Sequence, residues 1–338
     1  MKLKLTTAFL LIVFSLQSYS QQHIAMFKKG AKWGFIDIKG NEIAKPQYTY
    51  CRNFYGELAK VNKNTFINIK GEVIKVEKRI INSHHCFEGL AAVKSNILWG
   101  YMDINGKIVI PQKYNTVTDF NNGYAIVSNK EGIFIIDKQG NEKIVKSDFK
   151  IKSFKKFSEE MAVINVKDKF GFLNTEGTIQ IEPKYITVGH FENGVAWVRT
   201  RDNKVGFIDK KGAWVVEPKY ISATNFDIKS GIAMVRTVNG WEYINMKGES
   251  IPIKESNIES FKKFEDGVAL AKSNGLWGYL SPDGNWMIKP QFDSFATSFF
   301  NDYARIKKNG KWGVINKKGE WVLQPEYKFL KPFYIVPN

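Results

Sequence analysis

The chain reads as an all-β array of about nine tandem antiparallel β-meanders, predicted to stack into an open, twisted, solenoid-like array rather than a closed β-propeller. Three observations predict that class. A short Asp/Asn/Ser-x-x-Gly run recurs nine times, ending at Gly40, Gly71, Gly106, Gly140, Gly177, Gly212, Gly248, Gly284 and Gly319, with spacings of 31, 35, 34, 37, 35, 36, 36 and 35 residues. Seven residues before that glycine stand Trp33, Trp99, Phe170, Val205, Trp241, Trp277 and Trp312, followed by Gly in six of the nine units. Eight residues after it an aromatic returns in six units, from Tyr48 to Tyr327.

Each element of one unit follows from its residues. Trp33 to Asp37 alternates large and small, rich in aromatic and branched types, as a half-buried strand does. The runs Asp37-Ile38-Lys39-Gly40 and Ser281-Pro282-Asp283-Gly284 fit a type I turn closed by a left-handed glycine. A second strand follows, such as Trp214-Val215-Val216, and ends at Pro218, where a missing N–H is tolerated. That pairing is expected to bring the leading Trp close to the closing Pro. The chain then crosses a polar stretch and returns through a third clear strand, such as Gly194-Val195-Ala196-Trp197-Val198, with room for a fourth before Phe191. Three or four strands are too few to bury their own faces, so stacking must supply the core. Nine units exceed the four to eight blades usual in propellers, which favours the open array. The opening Ala25-Met26-Phe27-Lys28-Lys29, however, mirrors Ala304-Arg305-Ile306-Lys307-Lys308, as a permuted closing blade would require.

The signature resembles that of the WG-repeat (KWG) family of bacterial proteins over nearly the whole chain beyond residue 20. The stretches that carry it are KWGFIDIKG at 32–40, LWGYMDING at 98–106, LWGYLSPDG at 276–284 and KWGVINKKG at 311–319. Its marks are Trp33-Gly34, Trp99-Gly100, Trp277-Gly278 and Trp312-Gly313. Units two and four lack Trp-Gly, and Glu242 replaces the glycine in unit seven. The resemblance implies a β-rich repeat with a binding role and brings no catalytic residues.

Units two, four and seven also lack the Pro-aromatic ending. Their continuations share the frame Ile-x-Ser-x-x-x-Phe, at Ile81 to Phe87, Ile151 to Phe157 and Ile258 to Phe264. They are read as loops of a second design. Lys155, Lys156, Lys262 and Lys263 sit between aromatics there, and His84 and His85 occupy the matching place. Charge and stacking make these six the candidate ligand residues. The plainer reading is that Phe fills the core while the lysine stems stay solvated.

Residues 1–20 set the expected address. Lys2 and Lys4 precede an apolar stretch from Leu5 to Leu16, and Ser18-Tyr19-Ser20 supplies a small-x-small cleavage pattern, as in a secretory leader. The mature array would span 21–338 in the periplasm or outside the cell, and no stretch has the 18 or more apolar residues of a spanning helix. Dropping the two leader lysines from a net charge of +17 leaves +15. Export argues against nucleic acid. Lysine recurring throughout the repeats reads first as a guard of strand edges, and second as attraction to an anionic glycan or envelope polymer. Cys51 and Cys86 are candidates for a disulfide in an oxidising compartment, although they hold non-equivalent places in their units.

Catalytic patterns are scarce. Asp37, Asp103, Asp137 and Asp209 recur, but Asn or Ser replaces them elsewhere, which a turn survives and acid–base chemistry does not. His84-His85-Cys86 is a poor metal seed, because adjacent residues on an extended strand point to opposite faces. No cofactor is expected. The reading is an exported, non-catalytic binding or scaffold module for an envelope or extracellular protein or glycan. The alternatives are a purely structural spacer, or a glycan-active enzyme drawing on Glu159, Glu160, Glu265 or Asp266.

Overall fold

Third strands such as Leu98–Asp103 are buried over four consecutive residues, so both faces of each sheet are covered. The computed structural model, which describes residues 22–336 except 55, 63–64, 77–79 and 294, gathers such strands into nine small antiparallel sheets. Each sheet is one blade and holds one repeat glycine. Blades three to eight have four strands in sequence order, for example Ser153–Ser158, Met161–Val166, Lys169–Asn174 and Ile179–Tyr185 in blade five. The leader expected over 1–20 lies outside the described residues.

The array is not open: it closes as a nine-bladed β-propeller. The second strand of blade one, Gln22–Lys29, pairs with Phe329–Leu330 and Tyr334–Val336 from the other end of the chain. The partners run Phe27↔Leu330, Lys28↔Phe329 and Gln22↔Val336, in the antiparallel sense a first strand requires. Nine apolar cores fill the nine gaps between neighbouring blades. The one at the seam holds Phe27, Ile36, Val314, Leu323, Leu330 and Phe333. Removing each such side chain from water contributes roughly 1.5–3 kcal/mol, and an open array would leave both end faces wet. That gain decides closure against the usual blade count.

The turns form as their residues demand. All nine repeat glycines have φ between 77° and 86°. Asp37 Oδ1 accepts from the N–H groups of Lys39 and Asn41 at 2.9 and 2.8 Å, and Asn245 and Asn316 do the same in their units. The Trp-Gly glycine has a different cause. Trp33 lies opposite Tyr48 and Phe35 opposite Ala44, so Gly34 alone faces the bulge of Lys45, Pro46 and Gln47. A Cβ on Gly34 would stand 2.6 Å from the Ala44 carbonyl oxygen and 2.8 Å from the Pro46 nitrogen. The same clash awaits Gly100, Gly171, Gly206, Gly278 and Gly313. Proline therefore faces the glycine, and the tryptophan faces the aromatic eight residues past the turn.

Where the glycine is missing, the bulge is missing too. The fourth strands of blades two, four and seven shrink to Val73–Ile74, Glu142–Ile144 and Ser250–Ile251. The two cysteines are free thiols, Cys51 on blade two and Cys86 on the first strand of blade three. Cys51 packs against the core between blades one and two and Cys86 lies in the core between blades two and three, so the two sit in different cores. Burial pushes the Cys51 thiol up to about 12.

Candidate functional site at the ring axis

The continuations read as loops are strands. They are the first, axis-facing strands of blades three, five and eight: Asn82–Phe87, Ser153–Ser158 and Ile258–Glu265. In other blades the first strand is a two-residue piece, as in Thr116–Val117, Thr187–Val188 and Ser222–Ala223, a single bridge at Cys51 and Ala296, or, in blade one, the two pieces Phe329–Leu330 and Tyr334–Val336. Each long strand carries a bulge, between Ser83 and Cys86, Phe154 and Phe157, and Phe261 and Phe264. The six candidate residues, His84-His85, Lys155-Lys156 and Lys262-Lys263, are the inner pairs of these three bulges. A bulge sets two residues against one and re-aims their side chains, so the strict opposite-face rule does not govern them. Arg52 Nη1 donates to the Ser83 carbonyl at 3.0 Å, and Tyr243 Oη to the Lys262 carbonyl at 2.6 Å, which anchors two of the bulges.

Lys156 of blade five lies 4.6 Å over the ring of Phe87 of blade three, a contact that skips blade four and must cross the interior of the ring. His85 packs edge-on to the same ring at 6.2 Å. His84 is committed otherwise: Nδ1 lies 3.1 Å from Asp119 Oδ1, and the imidazole stacks on Trp99 at 4.6 Å. Burial lowers the pKa of His85, with Arg52, His84 and Lys156 adding to the fall and Asp119 opposing it. Burial also lowers that of His190 in blade six, helped by Lys155 and Lys156. Basic side chains from blades two, three, five and six thus share one side of the axis. Lys155 and Lys262 are exposed.

Across the axis lies a cavity of about 880 Å³ walled by blades six to nine and blade one. Lys263, Glu192, Asp227, Lys229, Asp266 and Arg305 line it. Most of its ionic groups are engaged. Lys229 Nζ lies 2.7 Å from Asp302 and also pairs with Asp266, while Lys317 lies 2.9 Å from Asp302. Burial opposes the Lys229 charge, but the bonds to both aspartates hold its pKa above the usual value. Burial likewise opposes the charge of Asp302, yet Lys229 and Lys317 keep its pKa low. Asp227 Oδ2 accepts from the Ser230 N–H and hydroxyl and from the Gly267 N–H. Glu192 stands apart, its pKa raised first by burial and opposed by Asn225 and Lys263.

Of the carboxylates that an enzyme was expected to use, three are held by neighbours. Glu159 accepts from the Gly194 N–H at 2.8 Å beside Lys210 at 3.8 Å. Asp266 accepts from the Asp302 N–H at 2.5 Å, with Lys317 at 3.5 Å. Glu265 pairs with Lys263 at 2.8 Å, whereas Glu160 is an exposed turn residue with φ of 67°. Glu88 repeats the arrangement with the Gly123 N–H and Lys138. In all three cases an acid at a first-to-second-strand hairpin fastens its blade to the next. Among the described residues no group of three or more His, Cys, Asp or Glu is set to hold a metal ion. Arg52, His190, Lys229 and Arg305 have no repeat signal in the sequence, because ring closure is what brings them in.

The profile described as "WG containing repeat" matches residues 33–64, 99–132, 170–204, 206–241, 277–312 and 312–334, more than half of the chain. No curated protein matches. Among solved structures, a crystal structure of the eukaryotic initiation factor is 8% identical, covers 94% of this chain and 98% of its own, and has a TM-score of 0.58. At that identity the likeness is one of fold, and it extends around the ring. The dihydro-heme d1 dehydrogenase NirN is 11% identical over 92% of this chain and 74% of its own, with a TM-score of 0.47. Kluyveromyces lactis Hsv2p is 12% identical over 75% of this chain and 98% of its own, with a TM-score of 0.41.

Proposed function

The chain belongs to the WG containing repeat family, and from that premise we propose that it is an exported, non-catalytic binding module that holds an anionic protein or glycan against the inner wall of its ring. The observation that carries this reading is the reach of Lys156 past blade four to Phe87, with His85 and His190 gathered around it. Charges placed on the walls of a concave, low-dielectric channel act more strongly on a ligand than the same charges on a convex surface. The ring supplies rigidity, since the walls are strands anchored by hydrogen bonds rather than free loops, and little ordering cost falls due on binding.

Titration calorimetry of the purified chain with an acidic oligosaccharide and an acidic peptide tests the proposal. Saturable binding is expected for at least one, weakened roughly tenfold in the Lys155→Ala, Lys156→Ala double variant, the size of one charge-assisted contact. No binding to either probe, or equal binding by the variant, refutes it. The enzyme alternative rests on Glu192, whose raised pKa in a cavity is the kind of group a general acid requires. Release of sugar from an acidic glycan, lost in Glu192→Gln, replaces the binding reading with that one.

A further inference from the structure

The two faces of the ring differ in charge. Because strands alternate in direction, the nine Asp/Asn/Ser-x-x-Gly turns share one face with the first-to-second-strand hairpins. The second-to-third-strand hairpins and the connections between blades occupy the other. The nine turns, counted through the residue after the glycine, hold nine Lys and nine Asp or Glu. On the opposite face, eight second-to-third-strand hairpins (28–33, 94–99, 128–133, 165–170, 199–205, 236–241, 272–277 and 307–312) hold fifteen Lys or Arg against three Asp or Glu. Lysines there stand over the signature tryptophans: Lys28 over Trp33, Lys94 over Trp99, Lys272 over Trp277 and Lys307 over Trp312, at 5.4–5.9 Å. Each is the cross-strand partner of its tryptophan, so the indole holds the stem and fixes where the charge is presented.

The basic face also exposes apolar side chains. Ile97 and Val238 sit at hairpin tips, 76% and 87% exposed. Phe295 and Ile81 lie on blade connections, 69% and 52% exposed, and Phe329, 53% exposed, opens the first strand of blade one. We propose that this face docks on an anionic lipid bilayer, with the lysines at the headgroups and the apolar tips in the outer part of the acyl region. Three features favour that occupant. The charge is predominantly positive, complementary to an anionic surface. A soluble polyanion would be satisfied by the lysines and gives no use for the protruding tips. A protein interface gathers its apolar residues into a core depleted of charge, whereas here they are dispersed among lysines around a ring, as in interfacial segments. Among the described residues no helix is long and apolar enough to cross a membrane.

Co-sedimentation of the chain with vesicles tests it. Binding is expected to vesicles of phosphatidylcholine mixed with phosphatidylglycerol and not to phosphatidylcholine alone, and to weaken as salt is raised. The Ile97→Ser, Val238→Ser double variant is expected to lose roughly tenfold in affinity, while Ile104→Ser, Ile228→Ser on the other face loses nothing. Emission from Trp241, 42% exposed on the docking face, is expected to shift to the blue on binding. Unaltered thermal midpoints verify that the exposed substitutions leave the fold intact. Failure to bind anionic vesicles overturns the proposal. So does binding that the tip variant retains in full, which assigns the face to soluble polyanions such as heparin instead. The Lys155→Ala, Lys156→Ala variant lies inside the ring and keeps vesicle binding, so this proposal and the axial one fail separately.

Discussion

Blades five and seven differ at the glycine of the signature, and the shape of each blade follows from that difference. Gly171 in blade five faces a bulged fourth strand of seven residues, Ile179–Tyr185. Glu242 in blade seven faces a fourth strand of two residues, Ser250–Ile251. The consequence passes to the next blade. After blade five the first strand is Thr187–Val188, and after blade seven it is Ile258–Glu265. The glycine spacings are nearly equal, 35 and 36 residues, so chain not spent on a long outer strand becomes a long inner one. The regular blades thus build the rim, and the departures from the repeat place side chains at the axis.

The sharpest way to break this comparison is to remove the glycine. In Gly171→Ala the new Cβ would stand 2.3 Å from the Ile181 carbonyl oxygen, an obstacle of backbone that no rotamer change relieves. A loss of about 3 kcal/mol, the upper end of ordinary overpacking, is expected in denaturant titrations. The converse change, Glu242→Gly in blade seven, has no bulge to serve and is expected to cost under about 1 kcal/mol from added chain freedom. Equal losses would mean that the glycine is not there for the bulge.

A second contrast lies in how neighbouring blades are fastened. Blades three, five, seven and eight use acids, Glu88, Glu159, Asp227 and Asp266, whereas blades six and nine use amides: Asn193 donates to the Asp227 carbonyl and Asn301 to the Phe333 carbonyl. Asp266→Asn is expected to cost about 1–2 kcal/mol, that of a charge-assisted bond at a partly wet rim. Acid should also loosen the ion pairs that tie blades seven to nine together. The Asp302 pKa in the folded chain lies below its unfolded value, so the stability it contributes is fully present above the ordinary carboxylate range. It is lost as pH falls through the lowered value. Thermal midpoints taken downward from about pH 6 should fall less steeply in Lys317→Ala than in the parent, because that variant has less of the pairing to lose.

The repeat count, the strand composition, the turns and the second class of unit were all legible, because each rests on local chemistry: a left-handed glycine, an Asx side chain, an alternation of side-chain size. Closure was not. It depends on Phe333 and Val336 meeting strands some three hundred residues earlier, and no local pattern decides whether end faces pair with each other or with water. The six candidate residues were found because they interrupt the repeat, but their secondary structure was misread. His84-His85 and Lys155-Lys156 look like loop residues only while the bulge that holds them is unseen. Arg52 and His190 carried no signal of any kind, being ordinary residues until the fold sets Arg52 against the Ser83 carbonyl and His190 near Lys155 and Lys156.

The smallest expected effect is the most diagnostic of the axial site. His85 and His190 have folded pKa values below the unfolded imidazole value, through burial first and neighbouring cations second. Below about pH 6.5 the unfolded chain therefore takes up protons that the folded chain resists, and stability declines on acidification. An anion at the axis reverses the local balance: it favours the imidazolium form, so binding draws in protons and affinity should rise severalfold over the same interval. Opposite slopes for stability and affinity, arising from the same two histidines, would not come from a general loss of structure. In Lys156→Ala, loss of the nearby cation should move the His190 imidazole midpoint, followed by proton resonance, upward toward the ordinary value without restoring it, because burial persists. The Lys219 ammonium, set over Tyr220 in a regular blade, makes the control: Lys219→Ala should leave both histidines where they are. A midpoint that does not respond to Lys156 would detach blade five from the site and return the axis to a structural role.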